Sequence, residues 1–230
     1  MESKKGRLLR KYGAERISAT PSGKQHNLAQ ARDSVAYDLV PSGSTFLEIG
    51  CGQGGLSRSA TKKYDLVVAS DLMIERLRIA KALDPESEVQ YIVADMDMAI
   101  PLKDGTVSCV ACIATFEYAI DPYSFVDEVY RVLEPRGLFV FQISNLVWFP
   151  RRMKLIIGRL PVTFALDLTQ DRVWNGGAFN SYTLEAIRRL LVGCSFDIVA
   201  VRSSGTFRRL GNAWPSLFSP DLILLCRKKG

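Results

Sequence analysis

Three acids stand at or just after the ends of successive apolar runs, and the first leads straight into a cluster of glycines. Glu48 sits in Thr45-Phe46-Leu47-Glu48-Ile49, two positions before Gly50-Cys51-Gly52-Gln53-Gly54-Gly55. Asp71 closes the run of residues 65–71, 19 positions beyond Gly52, and Asp95 follows the run of residues 89–94. A strand that feeds a glycine turn and then a helix is the phosphate- or nucleotide-type loop of a βαβ unit. Glycines let the chain turn sharply and let a ligand approach where a Cβ would stand. A helix opening at Leu56 points unpaired N–H groups into the space above the strand.

The loop satisfies G-x-G-x-x-G, so a dinucleotide is the first rival ligand. Glu48 argues against it. A carboxylate at the end of a central strand is costly to desolvate and repels a pyrophosphate, yet it suits a cationic ligand or one with an ammonium group. S-adenosylmethionine carries both a sulfonium and an α-amino group. The other reading is that Glu48 pairs with a local arginine or caps a backbone turn. Asp71 lies where an acid grips a ribose diol. Acids near three successive strand ends outline one crevice at the carboxyl edge of a parallel sheet.

With these motifs the chain resembles the class I S-adenosylmethionine-dependent methyltransferases of the type 11 group. The matching residues are Leu47-Glu48-Ile49-Gly50-Cys51-Gly52-Gln53-Gly54, Asp71, Ala94-Asp95-Met96 and residues 129–138, in the family's order. The resemblance implies that Asp71, with Leu72 beside it, takes the ribose hydroxyls. It sets Asp95 and Met96 beside the adenine, and Glu48, Gly50, Cys51, Gly52 and Gly54 under the methionine moiety. Ala114, at the fourth strand end, joins the same cofactor site. Many members carry a Glu-His pair where Glu117-Tyr118 stands here. The candidates for a base are therefore Glu117, Tyr118 and His26, the single histidine.

These residues need elements to position them. Apolar spacing from Gln25 to Val40 predicts a helix before the first strand, stopped by Pro41-Ser42-Gly43. In the resembling enzymes such a helix often closes over the cofactor. Ile74 to Leu83 reads as a helix, and Asp121-Pro122 opens another with Phe125, Val126, Val129, Val132 and Leu133 on one stripe. Residues 107–113 and 138–143 are strands, the first an almost continuous apolar run of the kind a sheet covered on both faces requires. Its two cysteines, Cys109 and Cys112, are three apart and so face opposite sides. Pro135-Arg136-Gly137 reads as the turn into the second. Thr183 opens a last helix, and residues 196–201 and 222–226 close the sheet, with a long loop over 205–220. The expected architecture is a Rossmann-like, doubly wound, seven-stranded and mostly parallel sheet with an antiparallel last strand. The expected organisation is a single domain over 1–230: an N-terminal segment and cap helix to 43, a cofactor-binding core over 44–144, a lid insertion over 145–181 and closing elements over 182–230.

The insertion should choose the substrate, because it follows a strand end on the ligand side. Met153, Ile156 and Ile157 beside Arg152 and Lys154 read either as a basic amphipathic turn at a membrane surface or as a lid with its apolar face over the cofactor. The series Asn145…Trp148…Arg151-Arg152…Gly158-Arg159-Leu160-Pro161-Val162-Thr163, with Tyr182-Thr183-Leu184, is similar to the MetW family of methionine-biosynthesis proteins. Glu48 and Gln53 stand where that family more usually has aspartates, and Tyr118 and residues 166–174 follow its pattern less closely.

The 230 residues, 47% hydrophobic and 23% charged, suit one α/β unit. No apolar run approaches the ~20 residues of a membrane helix, and no secretory signal opens the chain, so a cytoplasmic location is the default. Five cysteines, an odd number whose single C-x-x-C spacing (Cys109 and Cys112) lies on an apolar strand with the two thiols on opposite sides, argue against a disulfide framework or a structural zinc; no metal site is expected. The net charge of +6 gathers in residues 4–16, 151–159 and 227–229, clusters that suit solvated faces, RNA or an anionic surface. The reading is an enzyme that transfers a methyl group in line to a small-molecule or lipid-linked acceptor, with no DNA partner. The rivals are a MetW-like regulator that keeps the cofactor site and binds a metabolic enzyme, and an RNA methyltransferase.

Overall fold

The computed structural model describes the backbone of residues 23–161, 179–204 and 208–230, with side chains from Ala31 onward. The basic cluster of residues 4–16, residues 166–174 and most of the turn-rich segment 174–180 lie outside the described residues.

Helix α1 spans Gly23–Leu39, close to the expected range, and its apolar positions Val35 and Ala36, with Val40 beyond it, are buried. Lys63 donates to the carbonyl of Tyr37 in the last turn of this helix and to that of Val40 just beyond it, at 2.7 Å each. A cation is well placed there, against the negative end of the helix dipole. Strand β1 (Gly43–Ile49), helix α2 (Gly55–Ala60), β2 (Tyr64–Asp71), α3 (Ile74–Leu83) and β3 (Gln90–Val93) follow in strict alternation. Then come β4 (Val107–Cys112), a 3₁₀ turn at Phe116–Tyr118, α4 (Pro122–Val132) and β5 (Leu133–Ser144). Asp121 caps α4, its carboxylate accepting from the N–H groups of Tyr123 and Ser124, with Pro122 at the first helical position. The expected turn at Pro135-Arg136-Gly137 is a bulge inside β5, because the ladder to β4 shifts register between Val107 and Cys109.

The remaining elements are α5 (Phe149–Ile156), α6 (Leu184–Gly193), β6 (Phe196–Ser203), α7 (Arg208–Ala213), α8 (Pro215–Phe218) and β7 (Asp221–Lys228). The loop expected over 205–220 therefore holds two short helices. Thr183 caps α6 through its hydroxyl, which accepts from the N–H of Ala186 at 3.1 Å.

The sheet has seven strands in the order β3-β2-β1-β4-β5-β7-β6. The first five pair in parallel, and β7 is antiparallel to both β5 and β6. One face is covered by α4 and α6 around Phe116, Phe125, Phe139 and Phe141, the other by α1, α2 and α3 around Phe46, Leu56 and Leu77. Strand β4 shows the division clearly: Cys112 belongs to the first core and Cys109 to the second, as spacing on a strand requires. Among the described residues no helix is long and apolar enough to cross a membrane.

Candidate functional site

The parallel strands all end on one edge, and the order reverses beside β1, whose neighbours are β2 and β4. An open α/β sheet binds its ligands at such a switch point. Glu48 lies there with only 4% of its surface exposed. Its register partners on the two flanking strands are Ala69 and Ala111, whose small side chains leave room for a carboxyl group on that face. Glu48 Oε2 accepts hydrogen bonds from the backbone N–H of Ser57, at 2.9 Å, and from the Ser57 hydroxyl. It thus caps a turn of α2, the alternative that the sequence left open. Burial pushes its pKa up to about 8; the Ser57 bonds work against that shift, and the nearby Asp33 and Asp71 charges add to it.

The loop is held from the other side by Asp71. One carboxylate oxygen accepts from Gly52 N at 3.0 Å and the other from Met73 N at 2.9 Å, while Arg76 lies 3.8 Å from the first. Each oxygen keeps a second lone pair for a hydroxyl donor. Gly50 has φ +74°, and a Cβ there would collide with the Thr115 side chain. Over Gly52, at φ +55°, a Cβ would meet nothing within 4 Å, so the backbone is open to an approaching ligand. Cys51 is buried, and burial drives its thiol well above the ordinary range, which leaves it inert.

Asp95 and Met96 follow β3 and are half-buried, and Met96 packs against the core. Asp95 accepts from Asp97 N at 3.0 Å, and Asp97 in turn accepts from Ile120 N at 2.7 Å. Ala94 N donates to the carbonyl of Asp71 at 3.2 Å, which joins this segment to the end of β2. Leu72 is 37% exposed beside Asp71. Ala114 takes φ +54°, a left-handed conformation unusual for alanine, and its N–H donates to Gln142 Oε1 at 2.8 Å.

The base candidates separate. Glu117 is only 1% exposed, and its Oε1 accepts from Ser144 N at 2.5 Å. Its Oε2 is buried without a hydrogen-bond partner, as is the hydroxyl of Tyr182, and burial raises the Glu117 pKa. The carbonyl of Glu117 also accepts from Phe179 N and Asn180 N, at 2.9 and 3.2 Å, so this turn fastens the chain returning from the insertion. Tyr118 is half-buried beside it. His26 lies on α1, its side chain outside the described residues.

Several residues at this edge carry no signal in the sequence. Thr115 and Gln142 act through contacts with residues far along the chain, and Ser57 through Glu48, nine positions before it. Asp33, on α1, reaches the last glycine of the loop, its carboxylate oxygen 3.3 Å from where a Gly55 Cβ would stand. Among the described residues no group of three metal-ligating side chains occurs.

Known proteins share this arrangement. Residues 47–141 match the family model described as a methyltransferase domain. A ubiquinone biosynthesis O-methyltransferase of Xylella fastidiosa is 30% identical over 132 residues, 54% of this chain and 54% of its own. A 2-methyl-6-phytyl-1,4-hydroquinone methyltransferase of Synechocystis is 31% identical over 104 residues, 45% of this chain and 33% of its own. The chain thus spans about half the length, or less, of these curated relatives. Among solved structures, the magnesium protoporphyrin IX methyltransferase of Synechocystis with bound SAH superimposes with a TM-score of 0.67 at 15% identity, over 97% of this chain and 99% of its own. Residues 47–141 thus match a methyltransferase domain, and the fold around them is the one seen in S-adenosylmethionine-dependent methyltransferases of known structure.

Proposed function

We propose that the chain binds S-adenosylmethionine at the β1–β2 edge and transfers its methyl group to a small-molecule or lipid-linked acceptor. One observation carries this reading: a buried carboxyl and a second carboxylate, Glu48 and Asp71, flank backbone that is open over Gly52. The Asp71 carboxylate, joined by Glu48 once a cation draws off its proton, disfavours a pyrophosphate and favours a cation. The open position fits the group, since a ligand there meets backbone without displacing a side chain. Glu48 faces the ammonium and sulfonium charges, Asp71 offers its free lone pairs to the ribose hydroxyls, and Asp95 with Met96 borders the base. When bound, the cofactor supplies an electrophilic methyl group and leaves as the neutral thioether.

The protein's own part is to hold donor and nucleophile in line and to exclude water. Ala114 and Gln142 set the backbone at the end of β4, and the 3₁₀ turn forms the acceptor side. Glu117, tied to Ser144 N, fixes the ends of β4 and β5 relative to each other; Tyr118 is the base candidate with a partly exposed side chain. A hydroxyl acceptor gives up its proton as the new bond forms, which makes such a group useful. The names of the two relatives above, one for ubiquinone biosynthesis and one for a phytylated hydroquinone, support an acceptor of phenolic or quinol type.

The test is calorimetric titration of S-adenosylmethionine and of NAD into the wild-type protein, Glu48→Gln and Asp71→Asn. Micromolar binding of the sulfonium alone, weakened at least about tenfold in both variants, is the expected result. Binding of NAD instead would overturn the assignment. Transfer of labelled methyl to simple phenols and hydroquinones, with and without an isoprenoid tail, then separates an enzyme from a cofactor-binding regulator.

A further inference from the structure

Helix α5 is inside out. Its basic residues face the protein, Arg151 at 5% and Lys154 at 9% exposure, while Ile156 is 74% exposed, Ile157 just beyond the helix 62%, Phe149 50% and Met153 42%. These apolar positions lie at i, i+4, i+7 and i+8 and make one outward stripe. Arg151 holds the helix in this pose: its Nη1 donates to the carbonyls of Asn145 and Pro220 at 2.6 and 3.1 Å, and its guanidinium lies 5.6 Å from the centre of the Trp148 ring. Arg152 donates to the carbonyl of Ser216 at 3.3 Å, so α8 sits against the start of α5. In the segment that leads to α8, Leu210 and Trp214 are also exposed, at 53% and 58%.

Charge completes the picture. Residues 145–161 and 208–220 contain six arginines and lysines and no aspartate or glutamate. Of these, Arg159, Arg208 and Arg209 are exposed. The surface lies on the ligand edge of the sheet, where the end of β5 pairs with the start of β7, Ser144 with Asp221, and β7 pairs with the end of β6, Leu222 with Ser203.

We propose that this face docks on an anionic phospholipid bilayer. An exposed apolar stripe, with an exposed tryptophan and arginines in the two segments and no acid among the described residues 145–161 and 208–220, matches the acyl boundary and headgroup layer of such a membrane. Docking there sets the mouth of the crevice against the bilayer, where a lipid-borne acceptor can enter without crossing water. The surface stands on its own geometry and does not depend on what the crevice transfers.

The experiment is vesicle flotation of the full chain with phosphatidylcholine alone and with added phosphatidylglycerol, at low and high salt. The variants are Ile156→Asp/Ile157→Asp and Arg208→Gln/Arg209→Gln, both at exposed positions, with circular dichroism and cofactor calorimetry on the same samples. The expected result is binding to the phosphatidylglycerol vesicles that falls with salt and drops at least about tenfold in each variant, with the fold and cofactor affinity unchanged. Wild-type protein that floats with neither vesicle, or variants that float as well as wild type, would overturn the proposal. So would a wild-type dimer in sedimentation, broken by Ile156→Asp/Ile157→Asp, without vesicle binding, since a second copy would then cover the face. Because cofactor affinity is read separately, failure of this surface is distinguishable from failure of the crevice assignment.

Discussion

Glu48 links the chemistry of the crevice to the stability of the protein through one proton. Its folded-state pKa of about 8 lies above the ordinary 4.5, so the fold favours the protonated form. The stability it contributes is fully present below about pH 4.5 and is lost as pH rises through about 8. Glu48→Gln does not titrate; it should match the wild type at acid pH and exceed it above pH 8, read as thermal midpoints at both pH values. A cationic ligand draws the carboxyl back to its ionised form. Cofactor affinity should therefore rise with pH, by up to about tenfold per unit, as pH approaches 8 in the wild type, and stay flat in Glu48→Gln. Gly50→Ala forces a Cβ into Thr115 at a left-handed φ, and should cost about 1–3 kcal/mol in urea unfolding along with cofactor binding. Glu48, Asp71 and the loop glycines are legible in the sequence because acids at strand ends around a glycine turn form a recognisable pattern. Thr115 and Gln142 are not, since an ordinary polar side chain acquires such a role only from the strand order, and Ser57 is not, since a serine in a helix carries no mark of its partner. Thr115 meets Gly50 across 65 positions of chain, and Gln142 meets Ala114 across 28.

At the scale of elements, helix periodicity identified α3, α4 and α6, and a cap residue marked where two of them begin: Asp121 for α4 and Thr183 for α6. Periodicity alone cannot say which stripe faces inward. For α5 the sequence offered either a basic amphipathic turn at a membrane surface or a lid with its apolar side over the cofactor; the buried side is basic, because carbonyls at Asn145 and Pro220 stand ready for Arg151. Helices α7 and α8 are six and four residues long and contain glycine, asparagine and proline, too short and too weak in propensity to show a pattern. What holds them is Asn145, fully buried, whose amide donates to the carbonyls of Pro215, Ser216 and Ser219 at 3.2, 3.1 and 2.8 Å. Asn145→Ala strands these acceptors and should destabilise the protein by about 1–3 kcal/mol. Hydrogen exchange should show the loss first in residues 208–220.

For the molecule as a whole, alternation of strand and helix gave the parallel half of the sheet, and the resemblance to a family gave the antiparallel edge. A ligand that binds only the folded form stabilises every part of this sheet together. S-adenosylmethionine at about 100 times its dissociation constant should add about 2.7 kcal/mol, a rise of roughly 5–10 °C in Tm, and Asp71→Asn should shrink it. The position of β7 bears on events before the protein exists. Strand β6 is made before β7 yet lies outside it, joined to the rest of the sheet only through β7. On the ribosome, a nascent chain that has not yet released residues 221–228 therefore carries a five-stranded sheet with the β5 edge bare and β6 without a neighbour. Both are invitations to pair with another chain. Release of residues 221–228 closes that window, ahead of any encounter with cofactor or acceptor.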